Sequence, residues 1–290
     1  FSPDDTMSIS RPAEVFRSET HSSRQWILDL LARSESSLTP AQLTDRIRRK
    51  MNLERREARA LIRSLVAENL LTYADRHGRT VVEISLRRPV ALSDRVVISP
   101  PGFSVPKAPD RVVVRLQGGP AFGDGGHPTT RLSVQAIDGF LARPANMSNP
   151  PLERALDIGC GSGILALTAL ALGVRRAVGL DIDPLARAET VANARLNEMA
   201  NRLTVSGDAL ETLSPPFHLI IANLRPPTLR KMLPEIKRLA ATEAGLVLSG
   251  FRSEEAEDLF RTVESAGIKL VHHSQERGWA AGAFALPKSM

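Results

Sequence analysis

The stretch Gly159-Cys160-Gly161-Ser162-Gly163 sets the chemistry this sequence can support. Glycines at alternate positions let a backbone turn approach a ligand closely. Asp157 precedes the turn, and no basic residue lies within it. Turns of this kind serve both dinucleotide and adenosyl ligands, and three details favour S-adenosylmethionine. The spacing is G-x-G-x-G, whereas a dinucleotide fingerprint reads G-x-G-x-x-G. Asp157 would repel a pyrophosphate but attract a methionine ammonium group. No cation stands ready to neutralise phosphate. Downstream, Asp181 lies about twenty residues on, where an acid takes ribose hydroxyls. Ile182 follows it, and Asp208 can accept from an adenine amino group. A second stretch, Ala121-Phe122-Gly123-Asp124-Gly125-Gly126-His127-Pro128-Thr129-Thr130, ends at a helix start. Its glycines, hydroxyls and amide donors suit a loop that closes on a ligand bearing a carboxylate.

The elements around these residues alternate. Ala155–Ile158 reads as a strand, Ile164–Leu172 as an apolar helix, and Ala177–Leu180 as a second strand. A helix follows at Leu185–Glu198, then strands at Leu203–Val205 and Phe217–Ala222. A helix, a strand, a helix and two final strands complete the chain. Repeated β-α alternation predicts an α/β fold with a parallel sheet covered on both faces. Ligands of such sheets bind beyond the C-terminal strand ends, where Asp157, Gly159, Asp181, Asp208 and Asn223 fall. Upstream, Val96–Ile98 and Val112–Val114 read as strands separated by proline-rich turns, and residues 145–151 as a linker.

The N-terminal third has a different pattern. Residues 1–22 read as a flexible tail. Trp26, Ile27, Leu30 and Leu31 predict a helix over about 23–33. Thr39-Pro40-Ala41-Gln42 is a helix start of the capping-box kind, opening a helix to about Lys50 that buries Leu43 and Ile47. A third helix spans about 53–69, with Ala58, Leu61, Ile62, Leu65 and Val66 as its apolar stripe and Arg55, Arg56, Arg59 and Arg63 on another face. Strands over 70–73 and 80–86 flank a turn at Asp75–Gly78. Three helices and a hairpin resemble a winged helix-turn-helix domain. The chain carries a net charge of +6, and residues 21–90 alone hold 14 basic against 8 acidic side chains. A nucleic-acid partner through residues 46–63 is one reading. Protein docking or homodimerisation is the other.

The resemblance over residues 93–286 is more specific. AFGDGGHPTT (121–130), ALDIGCGSGILALTALALG (155–173), VGLDIDPLA (178–186), HLIIANL (218–224), LVLSG (246–250) and ERGWAAGAFAL (276–286) are similar to the ribosomal protein L11 methyltransferase family. That family is part of the seven-strand, Rossmann-like methyltransferases. The resemblance implies S-adenosyl-L-methionine as cofactor, held by Phe122, Gly123, Gly125, His127, Thr129, Thr130, Asp157, Gly159, Gly161, Gly163, Asp181, Ile182, Asp208 and Asn223, and no metal. It implies a protein amine, of lysine or an N-terminus, as methyl acceptor. Asn223 and the Leu224 carbonyl would then accept hydrogen bonds from that amine. His127, His218, His272 and His273 are weaker candidates. Asp124 stands where the family has Thr, and Arg225 where it has a small apolar residue. The family's substrate-recruiting N-terminal module has an α/β pattern, unlike residues 23–88 here, which makes L11 itself a doubtful substrate. A small-molecule methyltransferase with a winged-helix dimerisation domain and a nucleic-acid regulator or methyltransferase are the competing readings.

The sequence therefore divides into a tail (1–22), a winged-helix-like domain (23–88), a β-rich linker with the closing loop and helix (89–150) and a cofactor-binding domain (151–290). Hydrophobic residues make up 42% and charged residues 24% of the 290, which excludes a wholly disordered chain. The longest apolar run, Ile164–Leu172, is half the roughly 20 residues that span a bilayer, and neither a signal peptide nor a membrane anchor is expected. The single cysteine, Cys160, cannot form an internal disulfide, which fits a cytoplasmic protein.

Overall fold

The computed structural model describes residues 23–142 and 152–287, apart from 33, 35 and 77. The expected tail 1–22, the whole of the expected linker 145–151 and the turn residue His77 lie outside them. The contacts divide the chain into two units, residues 1–85 and 86–290.

In the first unit, helix α1 covers residues 23–32, followed by α2 (Pro40–Met51), α3 (Arg55–Ala67) and the hairpin β1 (Leu71–Arg76) and β2 (Arg79–Ile84). The capping box forms as the sequence predicts: the Gln42 backbone N–H donates to Thr39 Oγ1 at 3.3 Å and Thr39 N–H to Gln42 Oε1 at 2.9 Å. Leu38 bridges Val82 across the unit, with Val82 N–H donating to the Leu38 carbonyl at 2.9 Å. Ile27, Leu31, Leu43, Ile47, Ile62 and Leu65 fill the core between the helices. Leu61 and Val66, predicted in the buried stripe, are only half-buried on its margin.

The second unit opens with β3 (Val90–Ala91), β4 (Val96–Ser99) and β5 (Val112–Arg115), then α4 (Pro128–Leu141). The strands expected at Val96–Ile98 and Val112–Val114 form and, with β3, pair into a three-stranded sheet, and Ile98 and Val114 join the main core. The alternation continues with β6 (Arg154–Ile158), α5 (Ile164–Ala171), β7 (Arg176–Leu180), α6 (Pro184–Leu196), β8 (Leu203–Ser206), β9 (Phe217–Asn223), α7 (Pro226–Leu239), β10 (Ala240–Arg252), α8 (Ser253–Ser265), β11 (Lys269–Glu276) and β12 (Trp279–Ala285).

Among the described residues, seven strands form one sheet in the order β11-β12-β10-β9-β6-β7-β8, parallel except that β12 runs antiparallel to both neighbours. Successive residues of β9 face opposite layers: Leu219 and Ile221 pack with α4 and α5, while Ile220 and Ala222 pack with α7 and α8. A strand covered on both faces needs an unbroken apolar run, and Leu219-Ile220-Ile221-Ala222 supplies it. From β6 the chain moves outward through β7 and β8, then returns to place β9 on the other side of β6. This reversal opens a crevice beyond the ends of β6 and β9, where open α/β sheets bind ligands.

Candidate functional site

The glycine turn after β6 lies at this reversal. Gly159 and Cys160 both donate to the Leu180 carbonyl, at 2.7 and 2.9 Å, tying the turn to the end of β7. Gly161 has φ +55° and donates its N–H to Asp181 Oδ2 at 2.9 Å. A Cβ at Gly161 would lie 2.3 Å from the Phe122 carbonyl oxygen, so only glycine fits. Asp157 is buried under the turn, where Oδ2 accepts from Ala166 N–H at 3.0 Å and Oδ1 has no partner among the described residues. Burial pushes the Asp157 carboxyl up to about 7, the Ala166 hydrogen bond opposing and nearby Asp181 adding to the rise. Burial likewise pushes the Cys160 thiol up to about 12, with the Asp157 charge adding to it, so this cysteine is protonated at neutral pH.

The loop preceding α4 packs onto the turn. Ser162 N–H donates to the Phe122 carbonyl at 2.9 Å, and Ser162 Oγ to the Gly123 carbonyl at 2.6 Å. Behind the loop, Glu189 and Asn193 of α6 and its C-cap Asn197 form a stripe. Glu189 accepts from Ala121 N–H at 3.0 Å, Asn193 from Gln117 N–H at 2.8 Å and Asn197 from Arg115 N–H at 2.7 Å. This stripe does for an irregular segment what a neighbouring strand would do. Asn193 Nδ2 also donates to the Ser162 carbonyl at 2.9 Å, so one amide joins loop and turn. Arg131 fastens the other end, donating to Glu276 Oε1 at 3.0 Å and to the Gly126 carbonyl.

His127 caps α4. Its Nδ1 accepts from Thr129 N–H at 3.3 Å, which places the ring proton of the neutral form on Nε2. The ring meets Phe122 and Trp279 edge-on, at centroid distances of 5.2 and 4.7 Å, and the Arg252 guanidinium lies 4.0 Å over the Trp279 ring.

These elements line a cavity of about 1150 Å³, above the usual 300–1,000 Å³ of a single small-ligand pocket. Of the sequence-predicted residues, Phe122, His127, Thr129, Gly159, Gly161, Asp181, Ile182, Asp208, Asn223 and Leu224 line it. Gly123, Gly125, Thr130, Asp157 and Gly163 do not. Gly163 backs onto Thr190 of α6, Gly123 onto Ser162 and Gly125 onto Leu92, while Thr130 is fully buried. Of the described histidines, only His127 lines the cavity. His218 lies near the opposite end of β9, and His272 and His273 are both exposed where the β11 register shifts. Trp279, Gly250, Arg225 and Lys231 also line it. Gly250 and Trp279 stand inside quoted motifs and Arg225 directly follows one, whereas no local signal singles out Lys231. Among the described residues no three His, Cys, Asp or Glu gather as a metal ion requires, and no helix is long and apolar enough to cross a membrane.

The lining is chemically graded. Asp181, Asp183, Asp208 and Glu211 line the side of the cavity beyond β7 and β8, as does Ile182, which is 94% exposed. Asp181 takes one N–H on each oxygen, from Gly161 and from Asp183 at 3.0 Å, and a carboxylate retains further lone pairs for a ribose diol. Ile182 offers an apolar surface to a flat base. The buried, unpartnered Asp157 Oδ1 suits a nearby ammonium group. At the end of β9, Asn223 Oδ1 is buried and without a partner among the described residues, and Leu224 N–H is held by the Ser249 carbonyl at 2.9 Å. An adenosyl amino acid fits this set. A diphosphate does not, because acids rather than donors face its place.

Comparison with known proteins agrees with this reading. Residues 83–285 match the family model described as ribosomal protein L11 methyltransferase (PrmA). The ribosomal protein L11 methyltransferase of Geobacter sp. (strain M21) is 34% identical over 202 residues, covering 69% of this chain and 64% of that protein. That of Trichlorobacter lovleyi is 37% identical over 169 residues, covering 58% of this chain and 54% of the relative. The chain thus spans less than two thirds of these relatives' length. A crystal structure of a ribosomal protein L11 methylase from Lactobacillus delbrueckii subsp. bulgaricus superposes with a TM-score of 0.59 at 24% identity, over 69% of this chain and 99% of that one. It shares the fold.

Proposed function

Because the chain belongs to the ribosomal protein L11 methyltransferase family, we propose that it is an S-adenosylmethionine-dependent methyltransferase that methylates a protein amine. The observation that carries the acceptor class is the buried, unpartnered Asn223 Oδ1 in the cavity wall. A buried acceptor without a donor is costly, and an amine N–H relieves it. Adenosylmethionine supplies a methyl group already activated on sulfonium. The work left to the chain is positioning. Asn223 Oδ1 holds the amine by its N–H and directs the lone pair across the cavity. The same oxygen dipole stabilises positive charge growing on nitrogen. Asp181 and Asp208 fix the adenosyl end, and the acidic lining there matches a cationic ligand.

A protein rather than a free metabolite suits the openness of the site, where Phe122 is 54% and Ile182 94% exposed. The match begins at residue 83, so residues 1–82, which hold nearly all of the first unit read as a winged helix, lie outside it, and the acceptor need not be L11. Tritiated adenosylmethionine incubated with the chain and cell extract is expected to label discrete protein bands. Label confined to RNA, or to the acid-soluble fraction, would overturn a protein acceptor. Asn223→Ala is expected to lower kcat by on the order of a hundredfold while retaining cofactor affinity. Full turnover in that variant would remove Asn223 from its positioning role.

A further inference from the structure

The first unit carries a charged surface that the methyltransferase reading does not use. Over residues 40–67, eight basic side chains face three acidic ones. Arg55, Arg56, Arg59 and Arg63 of α3 are all exposed. With 3.6 residues per turn, these four fall within an arc of about 100°, on one side of the buried Ala58, Ile62 and Leu65. Glu57 falls on the far side of that apolar stripe, and its Oε2 accepts from Glu54 N–H at 2.8 Å. Asp45 faces Arg48 at 3.8 Å. No ion pair engages any of the four α3 arginines among the described residues. A solvated, solubilising helix face mixes signs and pairs them; this one separates its arginines from the acids.

The shape adds to the charge. Asn52, in the left-handed conformation at φ +51°, turns the chain between α2 and α3 within a three-residue break. A notch of about 300 Å³ lies between these helices and the hairpin, lined by Thr44, Arg59, Arg63 and the 45%-exposed Tyr73. Arg79, at the start of β2, is exposed and likewise without an ion pair among the described residues.

We infer that the arginine face of α3 binds duplex DNA, the helix entering the major groove while Arg59, Arg63 and Arg79 take phosphates. Charge complementarity selects a polyphosphate. The duplex form follows from width: a major groove of about 12 Å admits an α-helix, whereas the A-form RNA groove is too narrow. With no Asn or Gln on α3, this binding is largely sequence-independent.

The test is fluorescence anisotropy of the full chain with a labelled mixed-sequence DNA duplex of about two helical turns. Binding in the micromolar range at low salt is expected, with log K falling against log salt at a slope of about −3 for three phosphates. Arg59→Gln with Arg63→Gln is expected to weaken binding and reduce the slope by about 2. Arg59→Lys with Arg63→Lys is expected to restore most of both, and Arg261→Gln on α8 to change neither. Equal thermal midpoints across the variants show that folding is intact. Absent or salt-insensitive binding, an unchanged slope in the glutamine variant, or equal affinity for a matched RNA duplex or heparin fragment would each overturn the inference. No methyl transfer enters the readout, so failure of the catalytic proposal leaves this test valid.

Discussion

Gly161 is the position where a single methyl group should separate cofactor binding from stability. Its φ of +55° makes any L-residue strained, at about 1–2 kcal/mol. That strain is present with or without ligand, so it lowers stability and leaves affinity alone. The second effect is different. A Cβ there lies 2.3 Å from the Phe122 carbonyl oxygen, which must retreat before alanine fits. Retreat breaks the 2.9 Å bond from Ser162 N–H and loosens the 2.6 Å bond from Ser162 Oγ to Gly123. Each is worth about 1 kcal/mol net. The unliganded Gly161→Ala chain relaxes by letting the loop move away, and binding must draw Phe122 and His127 back. Affinity for adenosylmethionine therefore falls by about 2 kcal/mol, or roughly 30-fold. Gly173→Ala is the control: φ is +112° but nothing lies within 4 Å of its added Cβ. It should lose stability and keep full affinity. Calorimetric titration of wild type and both variants, with a thermal melt of each, gives the comparison. If Gly161→Ala binds as tightly as wild type, the loop does not close on the ligand and the reasoning fails.

The buried acid and the α6 stripe give two further predictions. Asp157 stands at about 7 in the folded chain against 3.8 as its ordinary value; the folded state holds the proton more tightly, so stability falls as pH rises from about 4 to about 7, by up to about 1.4 kcal/mol per pH unit. Asp157→Asn should flatten that slope in urea melts, and wild type, unlike the variant, should release protons on binding adenosylmethionine below pH about 7, seen as a heat that depends on buffer ionisation. Asn193→Ala leaves Gln117 N–H and the Ser162 carbonyl without their 2.8 and 2.9 Å partners, at about 2–3 kcal/mol; the thermal midpoint should drop by about 4–12 °C, and no drop would mean that the stripe does not hold the loop.

How much of this was legible in the sequence follows from the range over which each signal acts. The capping box at Thr39 and the strand at Leu219–Ala222 announce themselves through neighbours, and they form where the sequence predicts. The residues lining the cavity are also largely legible, because the β-α alternation alone puts Gly159, Asp181 and Asn223 at strand ends. Which face of a glycine meets the ligand is not a local property. Gly163 sits in the same motif as Gly161, yet its missing side chain makes room for Thr190 of α6, whereas that of Gly161 makes room for the Phe122 carbonyl. One glycine serves helix packing and the other the site, and their spacing cannot distinguish them. In the proline-rich stretch before the loop the two short strands are legible but their partners are not; the pairing depends on parallel contacts between residues 16 apart, Val96 with Val112. The α6 stripe is hidden for a related reason. Glu189, Asn193 and Asn197 recur at helical spacing, a pattern that on sequence grounds suits a solvated face. Only folding brings the backbone donors of Arg115, Gln117 and Ala121 to that face. A polar stripe on a helix whose other residues pack on a sheet is thus a signal for an irregular segment lying alongside it, and here that segment leads directly into the loop over the site.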